Sequence, residues 1–423
     1  MVKQKTQVGP IIIIGFLFFI LGFITWLNGM LIPYLKVACE LTDFQALLVT
    51  FAFYISYTVM ALPSSWLLGK LGFKNGLSFG LWIMAGGALF FIPAAFSRDY
   101  LNFLVGLFVL GTGMAVLQTA VNPYITILGP IESAAKRISI MGVANKTAGA
   151  IAPLVLAYFV VKEGDDAIIN NLSNMHPMDK KIFLDSLAER VITPYIIMAI
   201  VLFIAGIGIK LSGLPNINSE KDTNNIVENE KDSVLGYPYL VFGVIALFFY
   251  VGVEVIAGDT IIRYGQSLGI PLETAKNFTT YTMVSMLVGY GLGIVLIPKY
   301  ISQRLALQMS AILGLVFSIG AILTTGFISV LFIAILGLAN ALVWPAVWPL
   351  AVEGLGKHLK TASALLIMAI AGGALLPLVW GALSDKFSSQ TAYVILIPAY
   401  LFILFFATKG YKIKDWSKAD KKQ

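Results

Sequence analysis

Three ionisable side chains stand in runs of sequence that are otherwise apolar: Glu254, Lys146 and, nearer the end of the run that holds Glu254, Asp259. A charge at mid-membrane costs at least roughly 2.5 to 3.5 kcal/mol, so each is a candidate for work with an ion or a ligand. Burial disfavours either charge. Glu254 or Lys146 alone is thus suited to binding and releasing a proton, and the two together to forming an ion pair. Arg263 follows Asp259 by about one helical turn, which predicts an ion pair on one face. Ion coupling is expected at Glu254, Lys146 and Asp259.

A second set is neutral. Asn28, Gln118, Thr119, Asn122 and Asn340 all lie in apolar runs, and a carboxamide presents the paired donors and acceptors that hydroxyl groups require. Trp26, Tyr54, Trp344, Trp348 and Trp380 stand among them, and an aromatic face can stack on the apolar side of a sugar ring. Asn28, Gln118, Asn122, Glu254 and Asn340 are therefore the expected hydrogen-bonding partners of a sugar, with Trp344 stacked on it. The competing role is structural: amides join membrane helices and tryptophans anchor at interfaces, which suits Trp380 better than Trp344.

Other chemistries find no residues. Cys39 is the one cysteine and the chain has two histidines, His176 and His358, too few for a metal site. No GxxxxGK[ST] loop is present to cradle a nucleotide, and no nucleophile and base lie together near the polar set. The expectation is a protein that is not an enzyme, needs no cofactor and draws any driving force from a gradient.

These side chains must be carried by membrane-spanning elements. Of the 423 residues 58% are hydrophobic and 12% charged, and the mean hydropathy is +0.86. A spanning helix takes about 20 apolar residues. Twelve such stretches lie near residues 10–34, 44–69, 77–97, 100–128, 137–162, 193–213, 236–264, 274–298, 304–325, 327–353, 361–384 and 388–408. They show no strand alternation, which predicts helices rather than a barrel. The first stretch, after Lys3 and Lys5, is too long for a signal peptide and reads as a retained span.

With both termini placed in the cytoplasm, most of the 29 Lys and Arg fall on that side. The net charge of +7 then belongs to an anionic lipid leaflet and not to nucleic acid. Residues 214–235 are polar and Asn-rich and read as a linker, which divides the chain into six-helix halves over 1–213 and 236–423. The loop at about 163–190 is expected outside, with a short helix near residues 178–190. An internal repeat supports the halves: AGAIAPLV (148–155) and GGALLPLV (372–379) share Gly149/Gly373, Ala150/Ala374, Pro153/Pro377, Leu154/Leu378 and Val155/Val379. A fainter echo sets LLGKLGFKNGL (67–77) beside LIPKYISQRL (296–305), with Lys70 opposite Lys299. Lys70, Lys74 and Lys299 are expected in the inner turns, as topology signals or as gate residues.

Five stretches carry a resemblance. FITWLNGMLIPYL (23–35), LTDFQALLVTFAFYISY (41–57), VLQTAVNPYITILGP (116–130), FYVGVEVIAGDTIIRY (249–264) and GGALLPLVWGALSD (372–385) resemble the sugar/cation symporters of the major facilitator superfamily that take fucose, or glucose and galactose. The likeness runs over essentially the whole chain. It implies an all-α fold of twelve transmembrane helices in two pseudo-repeats, alternating access, and a central sugar site lined by spans 1, 4, 7 and 10. Fucose/proton symport uses acids where this chain has Gly29 and Gln118, so that proton path is absent. Gln118 and Glu254 resemble the glucose/galactose branch.

The sequence thus predicts a bacterial inner-membrane symporter of a neutral hexose (glucose, galactose, mannose or an N-acetylhexosamine) with Na⁺ or H⁺. Its expected partners are the sugar, the cation and membrane lipids, and it is expected to be a monomer. The alternatives are a sugar uniporter or exporter, with Lys146 in a cation's place, and a membrane ligand sensor that moves nothing.

Overall fold

Hydrocarbon offers a backbone no partner but itself, and every regular element among the described residues is helical. The computed structural model describes residues 8–41, 43–160, 162, 165–214, 233–270 and 277–416. In chain order the helices are α1 (Val8–Ala38), α2 (Asp43–Leu89), α3 (Phe91–Ser97), α4 (Tyr100–Ile127), α5 (Ala134–Val160), α6 (Asp165–Asn170), α7 (Pro177–Glu189) and α8 (Ile192–Leu211). They continue as α9 (Pro238–Asp259), α10 (Ile261–Ser267), α11 (Phe278–Leu296), α12 (Gln303–Leu323), α13 (Gly326–Asn340), α14 (Val343–Val352), α15 (Leu359–Met368), α16 (Gly372–Lys386), α17 (Ser389–Ala392) and α18 (Leu396–Thr408).

Among the described residues 10 helical segments are long and apolar enough to cross a membrane. One of them, Phe51–Ser97, has 47 residues and supplies two crossings. It bends at Gly72, whose φ of 75° and ψ of 167° leave the helical region at a position only glycine fills without strain. The turn expected between spans 2 and 3 is thus a single-residue kink. α5, at 27 residues, is long enough as well, although Lys136, Arg137 and Lys146 lower its hydropathy. Counted in this way the segments supply the twelve expected crossings.

Two spans read as continuous from the sequence are broken. The tenth divides into α13 and α14 at Ala341 and Leu342, because Pro345 has no N–H to give the Ala341 carbonyl. The eleventh divides into α15 and α16 around the 3₁₀ turn Ala369–Ala371. The short helix expected near residues 178–190 is α7.

The chain gathers into two compact units, one of Met1–Gly15, Thr119–Val143 and Ile217–Gln423, the other of Phe16–Gln118 and Ala144–Asn216. Residues 215–232, which make up most of the expected linker, lie outside the described residues. In the first unit α9 and α14 form the core, and every α14 residue but Trp344 is buried. α11 shows how an element meets lipid: Val284, Val288, Leu292 and Val295 are exposed, while Thr282, Met286, Gly289, Tyr290 and Gly293 are buried. Its apolar face is the outer one, the reverse of a water-soluble helix.

The elbow between α4 and α5 is held by the buried Arg137. Its Nε donates to the Ile125 carbonyl at 2.9 Å, Nη2 to those of Thr126 and Gly129 at 2.6 and 3.2 Å, and Nη1 to that of Pro130 at 3.0 Å and to Ser133 Oγ at 2.7 Å. The last carbonyls of a helix have no internal partner, and a guanidinium satisfies them while opposing the negative end of the dipole.

In the second unit Arg98 joins Asp185 of α7 at 3.2 Å and Glu40 at 3.4 Å, and Lys180 reaches Glu40 at 2.6 Å. Arg190 forks onto Asp165, with Nη2 to Oδ1 at 3.1 Å, and donates to the Val160 carbonyl at 2.9 Å, closing α5. That guanidinium holds the Asp165 carboxyl below the usual carboxylate range. Lys74 donates to the Ser212 carbonyl at 2.5 Å, at the end of α8.

Candidate functional site

α9 starts at Pro238, which suits the first helical turn, and carries Tyr250 and Glu254 one turn apart on one face. The Tyr250 hydroxyl is hydrogen-bonded to the Glu254 carboxyl and also to the hydroxyl of Tyr290 from α11. Tyr290 and Tyr400 of α18 both lie within electrostatic range of Glu254. The Tyr400 hydroxyl donates to Asn340 Oδ1 at 2.7 Å. Glu254 is half-buried and Asn340 is 1% exposed. Glu254 thus has one phenol bonded to it, Tyr250, and two more nearby.

Asn340 ends α13 at the break in span 10, so its side chain and Trp344, the first turn of α14, share one irregular stretch. Broken membrane helices are where polar backbone and side chains gather around a ligand. The Nδ2 of Asn340 is buried and has no hydrogen-bond partner among the described residues. An orphaned buried donor is costly. Trp344 donates its Nε1 to Asn122 Oδ1 at 3.3 Å, stacks on Trp348 with ring centroids 5.4 Å apart, and lies 6.3 Å from the Tyr250 ring. Asn122, Glu254, Asn340 and Trp344 therefore belong to one polar and aromatic group within the first unit. Such a group, ringed by apolar helices, suits a neutral ligand bearing hydroxyls.

The second unit holds its own group. Gln118 and Thr25 are both hydrogen-bonded to the hydroxyl of the buried Tyr57, and Thr25 donates in turn to the Leu21 carbonyl at 2.8 Å. Lys146, 7% exposed, places its ammonium 4.6 Å from the centre of the Trp26 ring. That approach depends on Gly149, one turn further along α5. A Cβ there would fall 2.4 Å from Trp26 Cδ1. The indole face supplies the ammonium with an electrostatic partner. The side chain of Asn28 lies outside the described residues.

Two features were not drawn from the sequence. The set of Tyr250, Tyr290 and Tyr400 near Glu254 is one, and only Tyr250 had a readable signal, its one-turn spacing from Glu254. Asn145 is the other: its Nδ2 donates to the Phe18 carbonyl at 3.3 Å, and its place beside Lys146 in span 5 was the available signal. Asp259 is exposed at the end of α9. Arg263, expected beside it, reaches Asp385 of α16 at 3.1 Å.

A groove of about 250 Å³ between α1, α5 and α8 is lined by Phe16, Phe23, Leu156, Phe159, Met198, Val201 and other apolar residues. It offers a hydroxylated ligand nothing. No group of three or more His, Cys, Asp or Glu suited to a metal ion occurs among the described residues.

Comparison with known proteins follows the same lines. The profile described as Major Facilitator Superfamily matches residues 14–371. A glucose/galactose transporter of Brucella abortus is 32% identical over 97% of this chain and 96% of its own. An L-fucose-proton symporter of Escherichia coli is 28% identical over 96% and 93%. The crystal structure of a fucose:proton symporter of E. coli aligns with a TM-score of 0.83 at 27% identity over 95% of this chain and 98% of that one. A structure of a proton:xylose symporter, at 16% identity and a TM-score of 0.66, shares the fold.

Proposed function

Because the chain belongs to the Major Facilitator Superfamily, we propose that it imports a neutral hexose by symport with Na⁺ or H⁺. What carries this reading is the first unit's polar group, in which the buried Asn340 amide keeps an unpartnered donor within a cluster that includes Asn122, Trp344 and Glu254. The names of the full-length relatives, glucose/galactose transporter and L-fucose-proton symporter, support a sugar, and glucose, galactose, mannose or an N-acetylhexosamine is the class. Asn122 and Asn340 hydrogen-bond the sugar and Trp344 stacks on it. Glu254 is both a sugar contact and the coupling group. Asn28 and Gln118 are further candidates for hydrogen-bonding a sugar, and Lys146 and Asp259 further coupling candidates. The protein works as a monomer in a bacterial inner membrane, with both termini in the cytoplasm.

An ion drives uptake only by binding the two access states unequally. Glu254 suits that task, since the Tyr250 hydroxyl bonded to it competes with any cation for its oxygens.

A uniporter is the second reading, and one observation favours it: Lys146 already fixes a positive charge over Trp26. Proteoliposomes decide. Symport requires counterflow of the hexose and its accumulation under an imposed Na⁺ or proton gradient; uniport shows counterflow alone, and a ligand sensor shows neither.

A further inference from the structure

Tyr290 has two ends with different neighbours. Its hydroxyl is hydrogen-bonded to Tyr250, which is itself hydrogen-bonded to Glu254. Its ring lies against Gly142 of α5. A Cβ at Gly142 would meet Tyr290 Cε1, Cζ and Cδ1 at 2.5, 2.7 and 2.9 Å. The contact extends along both helices: Ser139 Oγ lies 3.1 Å from a Cβ built on Gly293, and Val143 packs against the cluster of Met286, Tyr290 and Ala341. Residues 139, 142 and 143 fall on one face of α5, and residues 286, 290 and 293 on one face of α11. Beyond this seam the Gln303 carboxamide spans back to the elbow, donating to the Ile131 carbonyl at 3.0 Å and accepting from the Ala135 N–H at 2.8 Å.

We propose that Tyr290 is a positioning residue that ties the occupancy of Glu254 to the seam between α5 and α11. The reasoning follows the protons. A phenol has one O–H to give. While Tyr250 donates to Glu254, its oxygen is free to accept from Tyr290, which keeps the Tyr290 ring in the Gly142 notch. When a cation or a sugar hydroxyl takes the Glu254 oxygens, the Tyr250 phenol loses the acceptor that fixes it. The Tyr250–Tyr290 hydrogen bond then has no anchored end, the Tyr290 ring loses the direction that the bond imposed, and the α5–α11 contact loosens. A change at a carboxylate becomes a change in helix packing, because glycine leaves the ring no second surface to lean on. The inference rests on the transport reading only for what occupies Glu254.

The test uses a reporter on the seam that needs no sugar. Ser139 is 0% exposed, and Ser139→Cys, with Cys39→Ser as background, gives one thiol whose labelling by a membrane-permeant maleimide measures opening. E254L and Y290F should each raise labelling by about tenfold, a typical coupling between linked sites, and the double variant should raise it no further. G142A should also raise it, by driving the ring from its notch, and G142A with Y290F should raise it no further. Effects of E254L and Y290F that multiply, or no change with G142A, would overturn the link. In transport, Y290F should keep counterflow and lose gradient-driven accumulation; accumulation equal to wild type would also overturn the link. Absence of counterflow in the wild type strikes the transport reading alone, since labelling is read without sugar.

Discussion

Trp344 of α14 gives its indole N–H to Asn122 of α4 across 3.3 Å, joining positions 222 residues apart in the chain. Trp348 stacks beside it, so the indole is oriented before any ligand arrives. A ring held in advance loses less conformational freedom on binding than one that must be ordered by the ligand. The same bond makes Asn122 a support as well as a candidate contact.

Asn122→Ala should therefore weaken hexose binding by roughly 1 to 3 kcal/mol, through a lost sugar contact and an indole N–H left without its acceptor. Gln118→Ala should cost a similar amount. Titration of the purified variants with the transported hexose checks both, and unaltered affinity in folded protein removes the residue from the site.

Glu254→Gln should abolish accumulation under an ion gradient while counterflow persists. The amide keeps the shape and part of the hydrogen bonding to Tyr250 but cannot carry the charge that a coupled cation or proton requires. If the variant still concentrates sugar, Glu254 belongs to the frame of the bundle.

Lys146→Ala removes the ammonium from the face of Trp26, an interaction worth about 0.5 to 2 kcal/mol. If that fixed charge takes part in coupling, the dependence of uptake on Na⁺ and on pH should differ between the variant and the wild type. Lys146→Arg, which keeps a cation over the ring, should lie closer to the wild type. Superimposable profiles for all three would assign Lys146 to bracing α5 against α1.

Much of this was legible in the chain. Long apolar runs without strand alternation dictate helices, and Glu254 and Lys146 stood out because hydrocarbon penalises charge steeply. Their immediate surroundings were another matter. Tyr290 and Tyr400 look like any buried aromatic until tertiary packing turns their hydroxyls toward Tyr250 and Asn340. Arg263 offered Asp259 as a neighbour at helical spacing, yet it also reaches Asp385, 122 residues further on, and periodicity along one helix carries no information about such a partner. The division of span 10 was visible only as Pro345 within an apolar run, a signal that many membrane helices absorb as a bend.

Asp165 and Arg190, with side chains 9% and 10% exposed, should make stability depend on acid. The hydrogen bond from Arg190 holds the Asp165 carboxyl below its ordinary range, so the pair's contribution is fully present above the ordinary carboxylate pKa. It is lost as pH falls through the lower value in the folded protein. Asp165→Asn should cost roughly 1 to 3 kcal/mol at neutral pH and flatten the acid limb of a thermal-melt series between about pH 5 and pH 2. An unchanged acid limb would show that the pair carries none of that dependence.

The bonds of Arg137 bear on how the protein is made. All five acceptors lie between Ile125 and Ser133, so a nascent chain that has extruded α4 and the first turn of α5 already contains everything the elbow needs. Loop closure over so few residues is fast, on the order of 10 to 100 ns for ten residues, against the tenth of a second or so that a ribosome spends on each residue. The α4–α5 hairpin is thus ready for insertion as a preformed corner, long before α9 or α11 has been translated. The elbow's cation commits that corner to one side of the bilayer while more than half of the polypeptide is still unmade.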